Sequence, residues 1–342
     1  MDNLVSSRFN HEIESLPGDY IFPPETRPGG LKIPLSNISV IDLREAENGD
    51  RINTIQKMIK ASEEFGFFQV INHGISENVM NEARSVFKEL FEMPAEEKQK
   101  LCSDDPSKTC KMLTSSVNYA TEKVHMWRDI FRHPCHPLEQ WQHLWPENPT
   151  RYRECAGSFS VEVKKLASRI LSLISEGLGL ECGYFENDLT GSVLLSINYY
   201  PPCPEPSLAL GVTKHSDPHI ITILLQDHVS GLQVLKDGNW IAVEPIPNAF
   251  AINIGNQLQV ISNGKLKSCE HRVVTNSHEA RISAGLFFAP TNECVVEPAE
   301  ALTDEHHPPN YKPFKYKDFI PHFLAKHGDT DIVLKSFAAQ KG

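Results

Sequence analysis

Two histidines and one aspartate are the side chains of this sequence that could together hold a metal ion. His215 and Asp217 are separated by one residue in KHSD, and His271 opens the apolar run HRVV much further along the chain. Residues i and i+2 of a β-strand point to the same face, so the first pair can approach one ion from one side. A third ligand must come from a distant segment, and His271 is our candidate. The pattern predicts a site for one metal ion.

The composition of this set indicates what such a metal would do. Two imidazoles and one carboxylate that leave coordination positions open are the facial arrangement of non-haem Fe(II) oxygenases, whose metal must accept a cosubstrate and O2 together. An H-x-D pair alone is weak evidence, because about one chance match is expected among 15 histidines. A second such pair, His327 and Asp329, lies in the polar tail, and we interpret it as a solvated loop. Taken singly, His215 and His271 are more readily explained as hydrogen-bonded histidines near the core.

A downstream pair with the same spacing favours a metal site over two hydrogen-bonded core histidines. Arg281 and Ser283 lie in the run RISAGLFFA, which contains no acidic residue. A guanidinium presents a planar fork that matches a carboxylate, and a neighbouring hydroxyl adds one more donor. Burying an unpaired arginine is costly, so its partner is either an acidic residue from another strand or a bound anion. Tyr200, which ends LLSINYY, could donate its phenol to the same anion.

The elements that must position these residues are predicted from hydrophobic periodicity. Apolar residues recur at helical spacing over 51–65, 76–92 and 158–180, and Ser76 is a candidate N-cap. Beyond 180 the pattern changes to short apolar runs separated by turn signals: VLLSINYY, HIITILLQ, GLQVL, WIAV, AFAINI, LQVIS, HRVV and RISAGLFFA. Strands at such spacing are typical of a sandwich or barrel, and eight of them in two sheets indicate a jelly roll.

Three segments are less regular. Residues 1–30 are polar and rich in proline, and we expect an arm that lies over the body without forming a core. Residues 33–43 contain an apolar run suited to a strand. Residues 102–125 are polar and form either a lid or a solvated loop.

Composition bounds the class of protein. The chain has 342 residues, 40% of them hydrophobic and 23% charged, which is ordinary for a soluble globular protein. The formal charge of −11 argues against wholesale binding of a phosphate backbone, and no apolar run approaches a membrane span. The eight cysteines are scattered without a CxxC motif, and no secretory signal is evident, so we expect free thiols and a cytoplasmic location.

From about Ile33 onward the sequence resembles the plant soluble 2-oxoglutarate- and Fe(II)-dependent dioxygenases. The resemblance is carried by FGFFQVINHGI, NYYPPCPEP, the H-x-D pair with its distant histidine, and RIS. Details in SDDPSKT, MWRD, HPCHPL and SEGLGL are most similar to the hyoscyamine 6-hydroxylase-like branch and to the salicylate 5-hydroxylase, or downy-mildew-resistance, branch. The resemblance implies a mainly β fold with flanking helices, a distorted double-stranded β-helix. It also implies an N-terminal α/β region, 1–155, that packs on an oxygenase core with a C-terminal tail, 156–342.

The resemblance assigns roles to the residues singled out above. The two histidines and the aspartate would bind Fe(II), which 2-oxoglutarate would chelate through its 1-carboxylate and 2-oxo group. The far carboxylate of 2-oxoglutarate would pair with Arg281, assisted by Ser283 and Tyr200, and Asn198 lies near the metal in relatives. O2 is the second cosubstrate, and ascorbate is the expected reductant.

Strand alternation and the resemblance extend the site to a substrate pocket. Phe287 and Ala289 share the face of the arginine in RIS, and Ser196 shares the face of the asparagine in SINYY. Ile130 and Arg132 follow MWRD in a stretch that lines the pocket in relatives. An arginine in a pocket wall would favour a substrate with a carboxylate or phenolate, but a surface arginine on a loop is an equally good explanation.

Three functions remain open from the sequence. The first is hydroxylation, with desaturation or ring closure as variants, of a small alkaloid-like or aromatic specialised metabolite. The second is the same chemistry on a phenolic acid, a flavonoid or a hormone. The third is a metal- or small-molecule-binding protein without oxygenase activity, which the intact ligand set and RIS disfavour. We expect a monomer that binds a small molecule and neither nucleic acid nor membrane.

Overall fold

The computed structural model describes residues 4–9, 13–29, 38–103, 105, 107–326 and 329–339. The helices are α1 (Val5–Arg8), α2 (Arg51–Glu64), α3 (Glu77–Glu92), α4 (Ala95–Leu101), α5 (Leu138–Trp141), α6 (Tyr152–Leu178), α7 (Asn256–Ile261), α8 (Tyr316–Ala325) and α9 (Thr330–Lys335). The strands are β1 (Val40–Asp42), β2 (Phe67–Ile71), β3 (Lys111–Thr114), β4 (Asp129–His136), β5 (Ser192–Tyr200), β6 (Leu210–His215), β7 (Ile221–Gln226), β8 (Leu232–Lys236), β9 (Asn239–Ala242), β10 (Phe250–Ile254), β11 (His271–Val274), β12 (Arg281–Ala289), β13 (Val295–Val296) and β14 (Phe314–Lys315).

Two sheets make up the body of the fold. The larger sheet is eight-stranded, in the order β1-β2-β10-β7-β12-β5-β4-β3, and the smaller one is four-stranded, in the order β6-β11-β8-β9. Apolar side chains of both pack into one buried cluster, with Phe67 and Ala251 from the larger sheet and Val212, Val234 and Val273 from the smaller. The two sheets therefore enclose a common interior, and the prediction of a mainly β jelly roll with flanking helices is confirmed.

Helices cover the outer face of the larger sheet. The predicted helices over 51–65 and 76–92 are confirmed as α2 and α3, and the Ser76 hydroxyl caps α3 by accepting a hydrogen bond from the amide of Val79 at 3.3 Å. Helix α6 begins at Tyr152, earlier than predicted, and ends at Leu178. The cap residue Gly179 has a φ of +72°, the left-handed conformation that glycine adopts without strain. No helix among the described residues is long and apolar enough to cross a bilayer.

One predicted strand was wrong. The run LQVIS belongs to helix α7, because a short apolar run cannot distinguish a strand from a buried helix. Gly255 precedes this helix, and a Cβ there would lie 1.9 Å from the carbonyl oxygen of His219. The amide of Asn256 donates to the carbonyl of Asp217 at 2.8 Å. The start of α7 therefore supports the backbone of the H-x-D segment.

The prediction of an N-terminal arm without a core was also wrong for the residues described. Val5, Leu16 and Tyr20 are buried together with Trp127 and Cys203 in a separate apolar cluster. The arm lacks periodicity because its apolar side chains are spaced by the surface that they cover, not by a helix or strand of their own. This cluster closes one end of the larger sheet.

The two remaining segments are partly described. Residues 33–37 of the expected strand lie outside the described residues, and Val40–Asp42 form β1, parallel to β2. The polar stretch 102–125 contains β3, an edge strand paired with β4, so it is more than a lid or a solvated loop.

Candidate metal centre and adjoining pocket

The three predicted metal ligands converge between the two sheets. His215 ends β6 and His271 begins β11, and the two residues are direct partners in the antiparallel register of the smaller sheet. Asp217 follows β6, and its Oδ1 lies 3.8 Å from Nε2 of His215 and 3.7 Å from Nε2 of His271. One donor atom from each residue lies within 4.8 Å of the others, the only such group among the described residues. His327 of the second H-x-D pair lies outside those residues.

Backbone carbonyls select the tautomer of both histidines. Nδ1 of His215 lies 2.8 Å from the carbonyl oxygen of Thr213, and Nδ1 of His271 lies 3.3 Å from that of Cys269. A carbonyl oxygen can only accept, so the proton must lie on each Nδ1. The lone pair of each Nε2 is left pointing at Asp217, which is the form of histidine that binds a metal.

The larger sheet holds the aspartate. Oδ2 of Asp217 accepts hydrogen bonds from the hydroxyl of Thr222 at 2.6 Å and from the side-chain amide of Asn253 at 3.1 Å. These bonds occupy one carboxylate oxygen and leave Oδ1 facing the imidazoles. The smaller sheet thus carries the two imidazoles, and the larger sheet orients the carboxylate between them.

The charges of the site favour a divalent cation. Burial and the proximity of His271 lower the pKa of His215 to about 4, so this imidazole is neutral at pH 7. Burial opposes ionisation of Asp217, but His271, His215, His219 and the hydrogen bond from Thr222 outweigh it, so the pKa of the carboxyl lies below its ordinary value. Two imidazoles and one carboxylate match the donor set of a divalent metal such as Fe(II).

The interior face of the larger sheet is organised in cross-strand rows. One row joins Ile130, Asn198, Ser283 and Gln226 across β4, β5, β12 and β7. The next row joins Arg132, Ser196, Gly285 and Leu224 across the same strands. A third row contains Leu194, Phe287, Thr222, Asn253 and Phe67, and continues on to β10 and β2. Thr222 and Asn253 reach Asp217, so this face points at the triad.

Arg281 is fixed by neutral partners. It is 1% exposed, and its Nη2 donates to Oε1 of Gln226 at 2.7 Å while its Nε donates to the carbonyl of Val229 at 3.0 Å. No carboxylate of a described residue forms an ion pair with it. Asp227 is near enough for the arginine to lower its pKa, but burial raises that pKa more, and this carboxylate accepts from the amides of Ile282 and Val229. The guanidinium charge is therefore not neutralised by the protein.

Tyr200 and Ser283 lie beside this guanidinium, as predicted. The Arg281 guanidinium carbon lies 5.1 Å from the centre of the Tyr200 ring, and its Nη1 is 3.4 Å from Oγ of Ser283. Two glycines make the packing possible. A Cβ on Gly211 would lie 2.6 Å from the Tyr200 ring, and one on Gly231 would lie 2.9 Å from the carbonyl oxygen of Val274 and 3.1 Å from Cδ of Arg281.

Asn198 is held by an arginine that the sequence did not single out. Its Oδ1 accepts from Nη1 of Arg128 at 3.0 Å, and Nε of Arg128 donates to the carbonyl of Ser115 at 2.8 Å. Burial lowers the pKa of Arg128, and the neighbouring Tyr200 hydroxyl opposes that shift. Arg128 is near enough to lower the pKa of His215 as well. Arg128 and Asn198 therefore form a connection between the triad and the pocket beyond it.

The five residues expected to line a substrate pocket share the interior face, at different depths. Ile130 and Ser196 lie in the first two rows, and the Phe287 ring packs edge-on against His219 with their centres 4.8 Å apart. Arg132 is half-buried in the second row. Ala289 is the last residue of β12, opposite the exposed Ser192, so it lies at the rim of this face.

Several side chains at the site were not predicted from the sequence. Thr222, Asn253 and Gln226 occupy interior positions of predicted strands and could have been found by extending strand alternation from one ligand to its neighbours. Arg128 stands in MWRD next to Trp127, and nothing in its spacing indicated an interior position. His219 lies in the stretch that follows H-x-D, where no period is available to predict its direction.

Comparison with known proteins agrees with this geometry. Residues 192–290 match the family model of the 2OG-Fe(II) oxygenase superfamily, and residues 38–148 match that of the N-terminal region of non-haem dioxygenases in morphine synthesis. The protein DOWNY MILDEW RESISTANCE 6 of Arabidopsis thaliana is 43% identical over 98% of both chains. Hyoscyamine 6-dioxygenase of Hyoscyamus niger is 39% identical over 96% of this chain and 97% of its own.

A solved structure extends the likeness to three dimensions. The crystal structure of JOX2 in complex with 2OG, Fe and JA superposes with a TM-score of 0.88, at 34% identity, over 98% of each chain. Both family models together span most of the interior face and the triad described above. This chain belongs to the 2-oxoglutarate- and Fe(II)-dependent dioxygenases, and it is an enzyme of the branch whose members oxidise plant metabolites.

Proposed function

We propose that His215, Asp217 and His271 hold the Fe(II) of this dioxygenase and that the neighbouring arginine pocket holds 2-oxoglutarate. The observation that carries the proposal is the convergence of the two Nε2 atoms and Oδ1 of Asp217, with the other polar atom of each ligand side chain hydrogen-bonded to the protein. Ligands whose other atoms are already hydrogen-bonded are fixed in orientation, which raises metal affinity.

Arg281 binds the far carboxylate of 2-oxoglutarate in this proposal. It is fully buried and positively charged, yet it has only neutral partners among the described residues. Burying such a charge is costly unless an anion completes the pair. Ser283 and Tyr200 lie at the same guanidinium and would add hydroxyl donors, and Asn198 lies one strand away from Ser283 in the same row.

When bound, iron, 2-oxoglutarate and O2 supply the oxidising chemistry, which decarboxylates the oxo acid to succinate and oxidises a C–H bond of the substrate. The residues of this chain orient and isolate the reactants. Asp217 and His271 are buried between the sheets, and the apolar cluster around Phe67 and Val234 excludes water behind them. Ile130, Ser196, Phe287 and Ala289 would present the substrate to the open side of the triad.

The substrate is a small metabolite, either alkaloid-like or aromatic, or a phenolic acid, flavonoid or hormone. The same hydrogen abstraction begins hydroxylation, desaturation and ring closure, so the type of product is part of the test. We further propose a monomer in the cytoplasm, with ascorbate as the reductant and with neither nucleic acid nor membrane as a partner. The formal charge of −11 supports the first of these exclusions.

The test is succinate formation from 2-oxoglutarate. We expect succinate to require Fe(II) and O2 and to increase when a substrate from a metabolite panel is present, and mass spectrometry of the product distinguishes hydroxylation from desaturation. A protein that binds metal and small molecules but releases no succinate with any compound would contradict the proposal. A product formed in the absence of 2-oxoglutarate would contradict the assigned role of Arg281.

A further inference from the structure

Arg132 is a cation on the interior face that has no polar partner in the part of the chain that the structure describes. It occupies the second row of the larger sheet, between Lys111 of β3 and Ser196 of β5. No hydrogen bond or ion pair joins its guanidinium to any described residue, whereas Lys111 donates to the carbonyl of Asp105. Burial and the charge of Arg128 both lower the pKa of Arg132, and no carboxylate of the described residues opposes that shift.

The contrast with Arg128 shows that this is not a general property of arginines in the pocket. Nε of Arg128 donates a hydrogen bond to the carbonyl of Ser115, and its Nη1 donates one to Oδ1 of Asn198. Its fork is therefore committed to the protein. Arg132 keeps its five donors for another molecule, and a half-buried guanidinium left in that state is costly.

His219 provides a second unsatisfied donor or acceptor nearby. Its Nδ1 is buried and has no hydrogen-bond partner among the described residues. Phe287, against which this ring packs, lies in the row next to the row that contains Arg132. The ring is fixed against Phe287, so the imidazole edge has a defined direction.

Small and apolar residues flank these two groups. The position next to Ser196 in the same row is Gly285, where an added Cβ would touch only the Phe287 ring, at 3.4 Å, and Cδ1 of Leu224, at 3.6 Å. Ile130 and Phe287 add apolar surface on the two flanking rows. The walls are thus apolar, and the polar groups are cationic or neutral.

We propose that the substrate of this dioxygenase is a small carboxylic acid whose carboxylate is bound by Arg132 and the ring of His219, with its apolar part packed along Gly285 and Phe287. The inference rests on the proposed function and sharpens it. A planar guanidinium binds a carboxylate through two parallel hydrogen bonds, and the charge of Arg128 adds to the attraction. The same two charges repel a protonated amine, so an alkaloid-like base is excluded as the substrate.

The test compares acids with their uncharged counterparts. The probes are benzoate with benzamide, phenylacetate with phenylacetamide and cinnamate with cinnamide, and tropine serves as a protonated amine. Binding to the full-length protein loaded with Fe(II) and 2-oxoglutarate is measured by calorimetry without oxygen. We expect at least one acid to bind tighter than its amide, and tropine not to bind.

Arg132→Gln should weaken binding of that acid about 10- to 100-fold and leave its amide unchanged, because the charge-assisted bonds are lost. Arg132→Lys should retain part of the preference, and His219→Leu should reduce it less than Arg132→Gln does. Arg44→Gln, which changes an exposed arginine paired with Asp42, is the matched control and should change nothing. The melting temperature of Arg132→Gln should not fall, whereas removal of an arginine kept for structure would lower it.

Three results would overturn the inference. They are equal binding of every acid and its amide, tight binding of tropine, and a loss in Arg132→Gln that falls on 2-oxoglutarate affinity instead of on the acid. Each leaves the proposed function standing, since that depends on succinate formation and on 2-oxoglutarate binding by the unaltered protein. A wild-type protein that fails to bind 2-oxoglutarate would instead defeat the proposed function itself.

Discussion

Two arginines of the larger sheet, Arg281 on β12 and Arg132 on β4, differ in the partners that the protein gives them. Arg281 is 1% exposed, stacks on Tyr200 and donates to Gln226 and to a backbone carbonyl. Arg132 is half-buried and has no hydrogen-bond or ion-pair partner among the described residues. The guanidinium of Arg281 is therefore oriented by the protein before a ligand binds, whereas that of Arg132 is not held by hydrogen bonds to the described residues.

The difference corresponds to two kinds of ligand. A cosubstrate that is the same in a whole family can be bound by a rigid, preorganised site, because the shape of the cosubstrate is constant. A substrate that differs between relatives is better met by a few groups on an otherwise apolar wall, where one substitution changes specificity. The residues that fix Arg281 should therefore govern 2-oxoglutarate, and those around Arg132 should govern the substrate alone.

The largest effect is expected from a change at the metal site, on which the reactions of both 2-oxoglutarate and the substrate depend. Asp217→Ala removes the only carboxylate of the triad and should abolish succinate formation with any substrate. Circular dichroism should show an intact fold, since the two sheets do not depend on this side chain for their pairing. Measurable turnover, with metal bound as in the wild type, would rule out this carboxylate as a ligand.

Arg281→Leu should impair only the binding of 2-oxoglutarate. We expect the KM for 2-oxoglutarate to rise about 10- to 100-fold, since charge-assisted hydrogen bonds to a carboxylate are lost. Substrate affinity measured without oxygen should be nearly unchanged. If this variant and Arg132→Gln both weaken binding of the same ligand, the two arginines do not have the separate roles proposed here.

Thr222→Val should act on the metal alone. The substitution keeps the shape of the side chain but removes the hydrogen bond to Oδ2 of Asp217, and such supporting bonds are worth about 10- to 100-fold in metal affinity or activity. Iron affinity can be measured by competition with a chelator. Ser196→Ala, on the same face but without a contact to the triad, is the control and should keep wild-type iron affinity.

A fall in pH should lower the stability of the larger sheet, which carries both arginines. His133 follows Arg132 but points to the opposite face, where it is fully buried and its Nε2 accepts from the Tyr152 hydroxyl at 2.8 Å. Burial lowers its pKa to about 4, so the folded state resists protonation that the unfolded chain accepts near pH 6.5. This contribution to stability is complete above pH 6.5 and is lost as the pH falls towards 4, about 2 kcal/mol by pH 5.

Urea unfolding at pH 7 and pH 5 checks this sign. His133→Gln should be less stable than the wild type at pH 7 but should lose less stability on acidification. An equal loss in both proteins would assign the pH dependence to other groups.

The smallest effects are expected from a pair of glycine substitutions. Gly231→Ala should raise the KM for 2-oxoglutarate several-fold, because the added Cβ would lie 3.1 Å from Cδ of Arg281 and must displace it. Gly285→Ala meets only ordinary contacts at 3.4–3.6 Å and should leave 2-oxoglutarate unaffected while reducing the space for substrate. Steady-state kinetics with each ligand varied in turn distinguishes the two, and an exchange of the two phenotypes would contradict the layout of the rows.

Much of the fold was predictable because its signals are local. The helical periods over 51–65 and 76–92 and the Ser76 cap depend on residues within one or two turns of each other, and the short runs after 180 are mostly strands. The prediction of a strand at LQVIS was wrong because a short apolar run does not distinguish a strand from a buried helix. The backbone hydrogen bonds that join the start of this helix to Asp217 and His219 are not visible in any local pattern. The domain boundary at 155 stays a prediction.

The sequence by itself determined which residue types are available, that Asp217 stands two residues after His215, that Arg281 and Ser283 share a strand face, and which chemistry each pair can perform. Only the tertiary structure decided that His271 lies beside His215 and that Thr222 and Asn253 orient Asp217. It also decided that Arg281 has neutral partners, whereas Arg132 has no polar partner among the residues described. The physical reason is that a side chain's type and period are local properties. Whether a charge is compensated depends on groups brought together across strands that are far apart in the chain.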